Sequence, residues 1–187
     1  MNQEIHIGLD KLTALDRIKT MTNSKFLVTG SISLYLYGVI DREIKDIDIV
    51  VPDLVVFAAI IESYGLQNHK QLDYDEKKKI EDQKINQIRF KVNGLWCCAF
   101  ESKDGEEHKA FPFSVGRSFN VAHPQGAILA KKRYVSDILK KDLPTHKQNE
   151  RLKKHVQDIA LYNDWQHSIN PKLVGIDYLA CISLKKL

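Results

Sequence analysis

Two short stretches carry residue types that could do chemistry. The first is Thr29-Gly30-Ser31, which follows the apolar run Phe26-Leu27-Val28. The second is Asp46-Ile47-Asp48-Ile49-Val50, in which acidic and apolar residues alternate. Residues at i and i+2 of a strand project from one face, so Asp46 and Asp48 present two carboxylates side by side while Ile47 and Ile49 turn into the core. Adjacent carboxylates repel unless a cation accompanies them, and hard oxygen donors suit Mg²⁺. A Gly-Ser turn ahead of a helix offers open backbone N–H groups and a hydroxyl, a seat for phosphate oxygens. Metal on one side and a phosphate cradle on the other describe a site for an NTP. Each signal alone is weak, since most Asp-x-Asp pairs are strand ends reaching solvent and most Gly-Ser pairs are plain turns. Their conjunction, in the order strand, Gly-Ser, helix, strand, Asp-x-Asp, is far more specific.

These residues need elements to position them. Leu9, Leu12, Leu15, Ile18 and Met21 recur at helical spacing and predict a helix over 9–22. Phe26–Val28 reads as a buried strand, after which Ser31 caps a short helix through Tyr37 that Gly38 stops. Asp46–Val51 is a second strand. Pro52-Asp53 opens a helix from Leu54 to Tyr64, closed by Gly65. Its run Leu54–Ile61 is apolar all round and is expected to be well buried. The charged stretch 73–84 reads as a connector. The runs 85–92 and 95–100 flank Asn93-Gly94, which supplies the two positive φ angles of a type I′ hairpin turn. Ser102–Ala110 is polar and loop-like. Beyond His123 the period turns helical, with Ile128, Val135, Ile138 and Leu139 on one segment and Leu152, Val156, Ile159 and Ala160 on the next, Pro144 standing between. The fold class that follows is α+β: a sheet core over 1–122, with a C-terminal helical region over 123–187 packed on it.

Composition sets the outer limits. The 187 residues are 43% hydrophobic, enough to build a core. The net charge of +4 is mild but unevenly spread: 131–154 holds nine Lys or Arg against three acids, so the rest of the chain is slightly negative. Cys97, Cys98 and Cys181 show no CxxC spacing and read as free thiols in a reducing interior. Met1–Asp10 contains acids and no apolar stretch of a signal peptide, and no apolar run approaches the ~20 residues of a membrane span. A cytoplasmic chain without membrane contact is expected. The seven histidines show no HxxxH spacing, so no zinc site is assigned.

Gly30-Ser31, then Gly38, Arg42 and Asp46-Ile47-Asp48-Ile49-Val50, resemble the signature of the nucleotidyltransferase (polymerase β-like) superfamily. The nearest likeness is to bacterial minimal and abortive-infection-type members, a group that includes toxin–antitoxin pairs. The match covers roughly Phe26–Val51 and extends weakly to Ala130-Lys131 and Lys154–Ile159. The resemblance implies a mixed sheet with flanking helices and a C-terminal helical extension. It also implies that the Gly-Ser turn holds the triphosphate of an NTP such as ATP and that the Asp pair binds two Mg²⁺ ions. An acceptor hydroxyl then attacks the α-phosphorus and pyrophosphate leaves. Arg42 and Lys131 are the further candidates for phosphate contact, Asp158 for orienting Lys131. The acceptor is an RNA, a protein hydroxyl or a small molecule, and the basic 131–154 segment favours an anionic one such as RNA.

The family's third metal-binding carboxylate comes from a neighbouring strand. The corresponding strand here, Leu95–Phe100, has no acid: Cys98 occupies the expected place and Glu101 ends the strand. A thiol is a poor Mg²⁺ ligand. Alternation puts 95, 97, 99 and 101 on one face and 96, 98 and 100 on the other, so Cys98 and Glu101 cannot share a face of a regular strand. Two readings stay open. In an active transferase Glu101 completes the catalytic set with Asp46 and Asp48; in a degenerate one Cys98 faces the pair and the chain serves as a binding or structural module. Lys131 has an ordinary reading as part of a solvated helix face, and Trp96 and Trp165 as packing residues.

Overall fold

The computed structural model describes residues 7–72, 85–102, 108–114, 117–140 and 145–168. The connector expected over 73–84, Pro144 and Cys181 lie outside the described residues. The order is α1 (Leu9–Met21), β1 (Leu27–Thr29), α2 (Gly30–Leu36), β2 (Ile47–Val51), α3 (Leu54–Ser63), β3 (Asn68–Leu72), β4 (Ile85–Val92), β5 (Leu95–Glu101), β6 (His108–Ser114), β7 (Arg117–Ala122), α4 (Pro124–Leu139) and α5 (Thr145–Ser168).

The seven strands form one sheet in the order β3-β4-β5-β2-β1-β7-β6. The pairs β2/β5 and β1/β7 are parallel and the rest antiparallel, so the sheet is mixed. One face carries Val28, Ile47, Ile49, Val51, Ile88, Phe90, Cys97 and Ala99, all buried, and α1 and α3 close over it to make the main core. Phe57 of α3 meets Phe90 edge-on at 5.2 Å between ring centres. The other face carries Asp48, Cys98 and Arg89 at matching register, and α4 and α5 approach it from the β1 side through a smaller cluster. Leu34, Val39 and Ile40 pack there against Ala127, Ile128 and Tyr162.

Local chemistry explains the ends. Asp53 caps α3, its carboxylate accepting from the N–H groups of Val55 at 2.7 Å and Val56 at 3.0 Å. Asn93 (φ 50°) and Gly94 (φ 81°) make the tight turn between β4 and β5. His123 caps α4 and Pro124 begins it, where a missing N–H costs nothing.

Three expectations change. Helix α3 is apolar all round but not buried all round: Val55 and Val56 are 67% and 57% exposed, because only Leu54, Phe57, Ala58 and Ile61 face the sheet. Ser31 does not cap α2; that place is Thr29's, and Ser31 sits inside the helix with its hydroxyl engaged elsewhere. His108–Ala110 is strand, the start of β6, rather than loop.

Candidate functional site

Strand β1 ends and α2 begins within one residue, at Gly30. The backbone there takes φ +65°, a left-handed value that favours glycine. Thr29 pairs with Asp48 across β1 and β2, which lays the Asp48 side chain directly over Gly30. A Cβ on residue 30 would overlap the Asp48 carboxylate and stand 2.8 Å from its Cβ and Cγ. Glycine is therefore required twice, by its dihedral and by its neighbour. This contact brings the Gly-Ser turn and the acidic pair into one place.

Asp46 precedes the first residue of β2 and acts on Asp48 through its charge. Burial, reinforced by that charge, raises the Asp48 carboxyl to about 6 against the opposing pull of Lys131 and Lys154. A half-buried pair of like charges is the arrangement that a cation relieves, so the two carboxylates fit a hard divalent ion.

One buried acid of α5 holds two cations near the pair, Lys131 from α4 and Arg42 from the loop before β2. Asp158 is 0% exposed. It accepts from Arg42 Nε at 3.2 Å and Nη2 at 2.7 Å, and pairs with Lys131 Nζ at 3.1 Å. Burial alone would push its carboxyl up; the Arg42 hydrogen bonds and the Lys131 charge outweigh that and hold it below the ordinary carboxylate range. The Arg42 Nη2 group also donates to Ser31 Oγ at 3.2 Å. Arg42 thus ties the Gly-Ser turn to α5, and Lys131 is a buried, oriented cation rather than part of a solvated face. Its neighbours Lys132 and Arg133 do face solvent. The His155 imidazole is lowered by burial and then by the charges of Lys131 and Lys154, and its ring lies 4.6 Å from that of Tyr134.

The strand beside the pair is β5, with Asp48 level with Cys98 and Val51 level with Glu101. In a parallel pair, residues at the same level share a face. Cys98 therefore stands next to Asp48, and burial followed by the Asp48 charge raises its thiol, which stays protonated near neutrality. Glu101 goes with Val51 to the other face, the one that also buries Ile47 and Ile49. The structure brings Gly30, Ser31, Arg42, Asp46, Asp48 and Lys131 together and leaves Glu101 out. Among the described residues no group of three or more His, Cys, Asp or Glu is arranged to hold a metal.

Lys154 was not singled out from the sequence, although it lies one helical turn before Asp158, a spacing that shares a helix face. The Arg42–Asp158 pair joins residues 116 positions apart, and no local pattern signals it.

No family model and no curated protein matches the chain. Solved structures do. The crystal structure of ANT(2″)-Ia in complex with adenylyl-2″-tobramycin superposes with a TM-score of 0.54 at 16% identity, covering 94% of this chain and 98% of that one. The solution structure of the same antibiotic-resistance factor gives 0.53, again at 16% identity, covering 94% and 92%. A Thermotoga maritima protein described as a candidate nucleotidyltransferase gives 0.49 at 17% identity, covering 80% of this chain and 94% of that one. The chain has the nucleotidyltransferase fold.

Proposed function

We propose that this chain binds an NTP with Mg²⁺ between the Asp46/Asp48 pair and the Gly30-Ser31 turn, and transfers its nucleoside monophosphate to an acceptor hydroxyl. The observation that carries the reading is the packing of Asp48 on Gly30, with Lys131 and Lys154 acting on the same carboxylate. Asp46 and Asp48 would hold the metal. The main chain at Gly30-Ser31 and the ammonium groups of Lys131 and Lys154 hold phosphate oxygens, while Arg42 braces Ser31. The metal supplies charge neutralisation at the triphosphate and at the departing pyrophosphate. The acceptor oxygen bonds to the α-phosphorus, the bond from that phosphorus to the bridging oxygen breaks, and the acceptor's proton is lost to water. A similar structure holding adenylyl-2″-tobramycin, a nucleotide already joined to its acceptor, supports this class of reaction.

The donor set fits one divalent ion better than two. A second ion needs a third carboxylate, and Cys98 stands level with Asp48 where it would come from. That observation favours a second reading, nucleotide binding without transfer. Radiolabelled NTPs, Mg²⁺ and total RNA, incubated with the native chain, with Asp48→Asn and with Cys98→Asp, separate the two. Label transferred by the native chain and lost in Asp48→Asn supports the transferase. Transfer gained only in Cys98→Asp supports the binding module. No melting shift of the native chain with any Mg-NTP sinks both.

A further inference from the structure

Beyond the acidic pair, the same sheet face continues across β5 and β4, and what it carries is unusual for a sheet surface. Asp48, Cys98 and Arg89 lie level with one another on three adjacent strands. Trp96 is level with Lys91, and it precedes Cys97, which pairs with Ile47; the parallel register therefore puts Trp96 beside Asp46. Strands stand about 4.8 Å apart, so the backbone of Trp96 lies about one strand spacing from that of the acidic pair, and the backbone of Arg89 and Lys91 about two, or about 10 Å.

The Trp96 ring is half-buried and carries both cations. The Arg89 guanidinium carbon lies 5.0 Å and the Lys91 ammonium 4.7 Å from its centre. The apolar core is on the opposite face, so this indole is not a core residue. On this face β4 and β5 present Gln87, Arg89, Lys91, Trp96, Cys98 and Phe100, and none of them is an acid. Two like charges over one ring are held by its electron-rich face, and an incoming anion would relieve their repulsion.

We infer that this face is the acceptor platform, built for a single-stranded nucleic acid: Arg89 and Lys91 leave the Trp96 ring to pair the adjoining phosphates, and the ring face they uncover stacks a base. Aromatic faces flanked by cations are how strands are gripped without regard to sequence. An acidic peptide would match the charge but leave the ring without a flat partner. The distances suit the task, since a strand end whose last base rests near Trp96 brings its terminal hydroxyl toward Asp46 and Asp48. The role as acceptor rests on the proposed transferase reading; the binding of a strand does not.

Fluorescence anisotropy of a labelled 12-nucleotide single-stranded RNA, with the DNA of the same sequence as a second arm, tests it on the full chain without NTP. The native chain is expected to bind either strand at low salt. Trp96→Leu, which keeps an apolar side chain, should weaken binding about 10-fold. Arg89→Gln with Lys91→Gln should weaken it at least as much and flatten the plot of log K against log salt by about 1.4, or 0.7 for each lost phosphate contact. Unchanged melting temperature shows that each variant folds. The Mg-ATP melting shift should persist in these variants, whereas Asp48→Asn should lose that shift and still bind the strand. Failure of the nucleotide site and failure of the platform therefore read out separately. No binding by the native chain, full binding by Trp96→Leu, or displacement of the strand by polyglutamate as readily as by unlabelled RNA would each overturn the platform.

Discussion

Gly30 and Asp48 set the character of the site at the scale of single residues. Any side chain at position 30 meets both an unfavourable dihedral and the Asp48 carboxylate. Gly30→Ala should therefore lower stability by more than the ~1 kcal/mol of an ordinary left-handed glycine, and it should abolish any Mg-NTP melting shift. Thermal melts with and without nucleotide check both. Asp48 makes a pH-dependent contribution of opposite sign to most carboxylates. Its carboxyl is raised from 3.8 to about 6, so the folded chain holds that proton more tightly than the unfolded one. The benefit is complete below pH 3.8 and is lost as pH rises through about 6. In EDTA the native chain should lose stability relative to Asp48→Asn across that window, by roughly 2 kcal/mol after allowance for partial exposure. Mg²⁺ should shrink the difference. Parallel curves for the two chains from pH 4.5 to 7.5 would remove Asp48 from any buried acidic pair.

At the scale of elements, the register of β2 against β5 decides which side chain stands beside the acids. The two β5 candidates were named from the sequence, together with the alternation that forbids them a common face. Choosing between them took the pairing of Ile47 with Cys97. Elements with strong local signals were legible: the α1 period, the capped start of α3, the Asn93-Gly94 turn and the alternation in β2. Three strands were missed: β7, Arg117–Ala122, which lies inside the sheet between β1 and β6 but opens on polar residues, and two whose pattern the sheet edges distort. Asn68–Leu72 is polar and pairs on one side only, and β6 is an edge strand with Pro112 beside a register shift. Proline removes a ladder donor and is tolerated at an edge, where it also disguises the strand. Helix α3 shows the limit of composition, since a ten-residue apolar helix lying on one sheet has a face to spare. Val55→Glu should cost no more than about 0.5 kcal/mol, while Phe57→Ala, which removes the ring packed on Phe90, should cost about 3–5 kcal/mol. Equal losses in urea unfolding would mean that the outer face of α3 is covered.

At the scale of the whole molecule, the chain has a large core under one face of the sheet and a small cluster where α4 and α5 join the other side. No described helix is long and apolar enough to cross a membrane. The polar link between the two parts is Asp158, fully buried, with Arg42 from the loop before β2 and Lys131 from α4. Breaking a buried pair by deleting one partner costs about 3–5 kcal/mol, because the remaining charges keep their desolvation penalty and lose their attraction. Here two cations would be stranded by one deletion. The loss should fall unevenly, since the main core does not include Asp158 and the smaller cluster has few other residues to hold it. Asp158→Ala is therefore expected to speed amide exchange in α4 and α5 by about 100-fold or more, the equivalent of about 3 kcal/mol of local opening. Exchange in β2, β5 and α3 should change little. Asp158→Asn keeps an acceptor for Arg42 but not the charge, and should fall between the native chain and Asp158→Ala. Uniform acceleration across the molecule would show one cooperative unit, with Asp158 belonging to the main core after all. No change in α5 would mean that the apolar cluster of Leu34, Ile128 and Tyr162 holds the helices unaided, leaving the ion pairs to orient Lys131 and Arg42 toward Asp48 and Ser31.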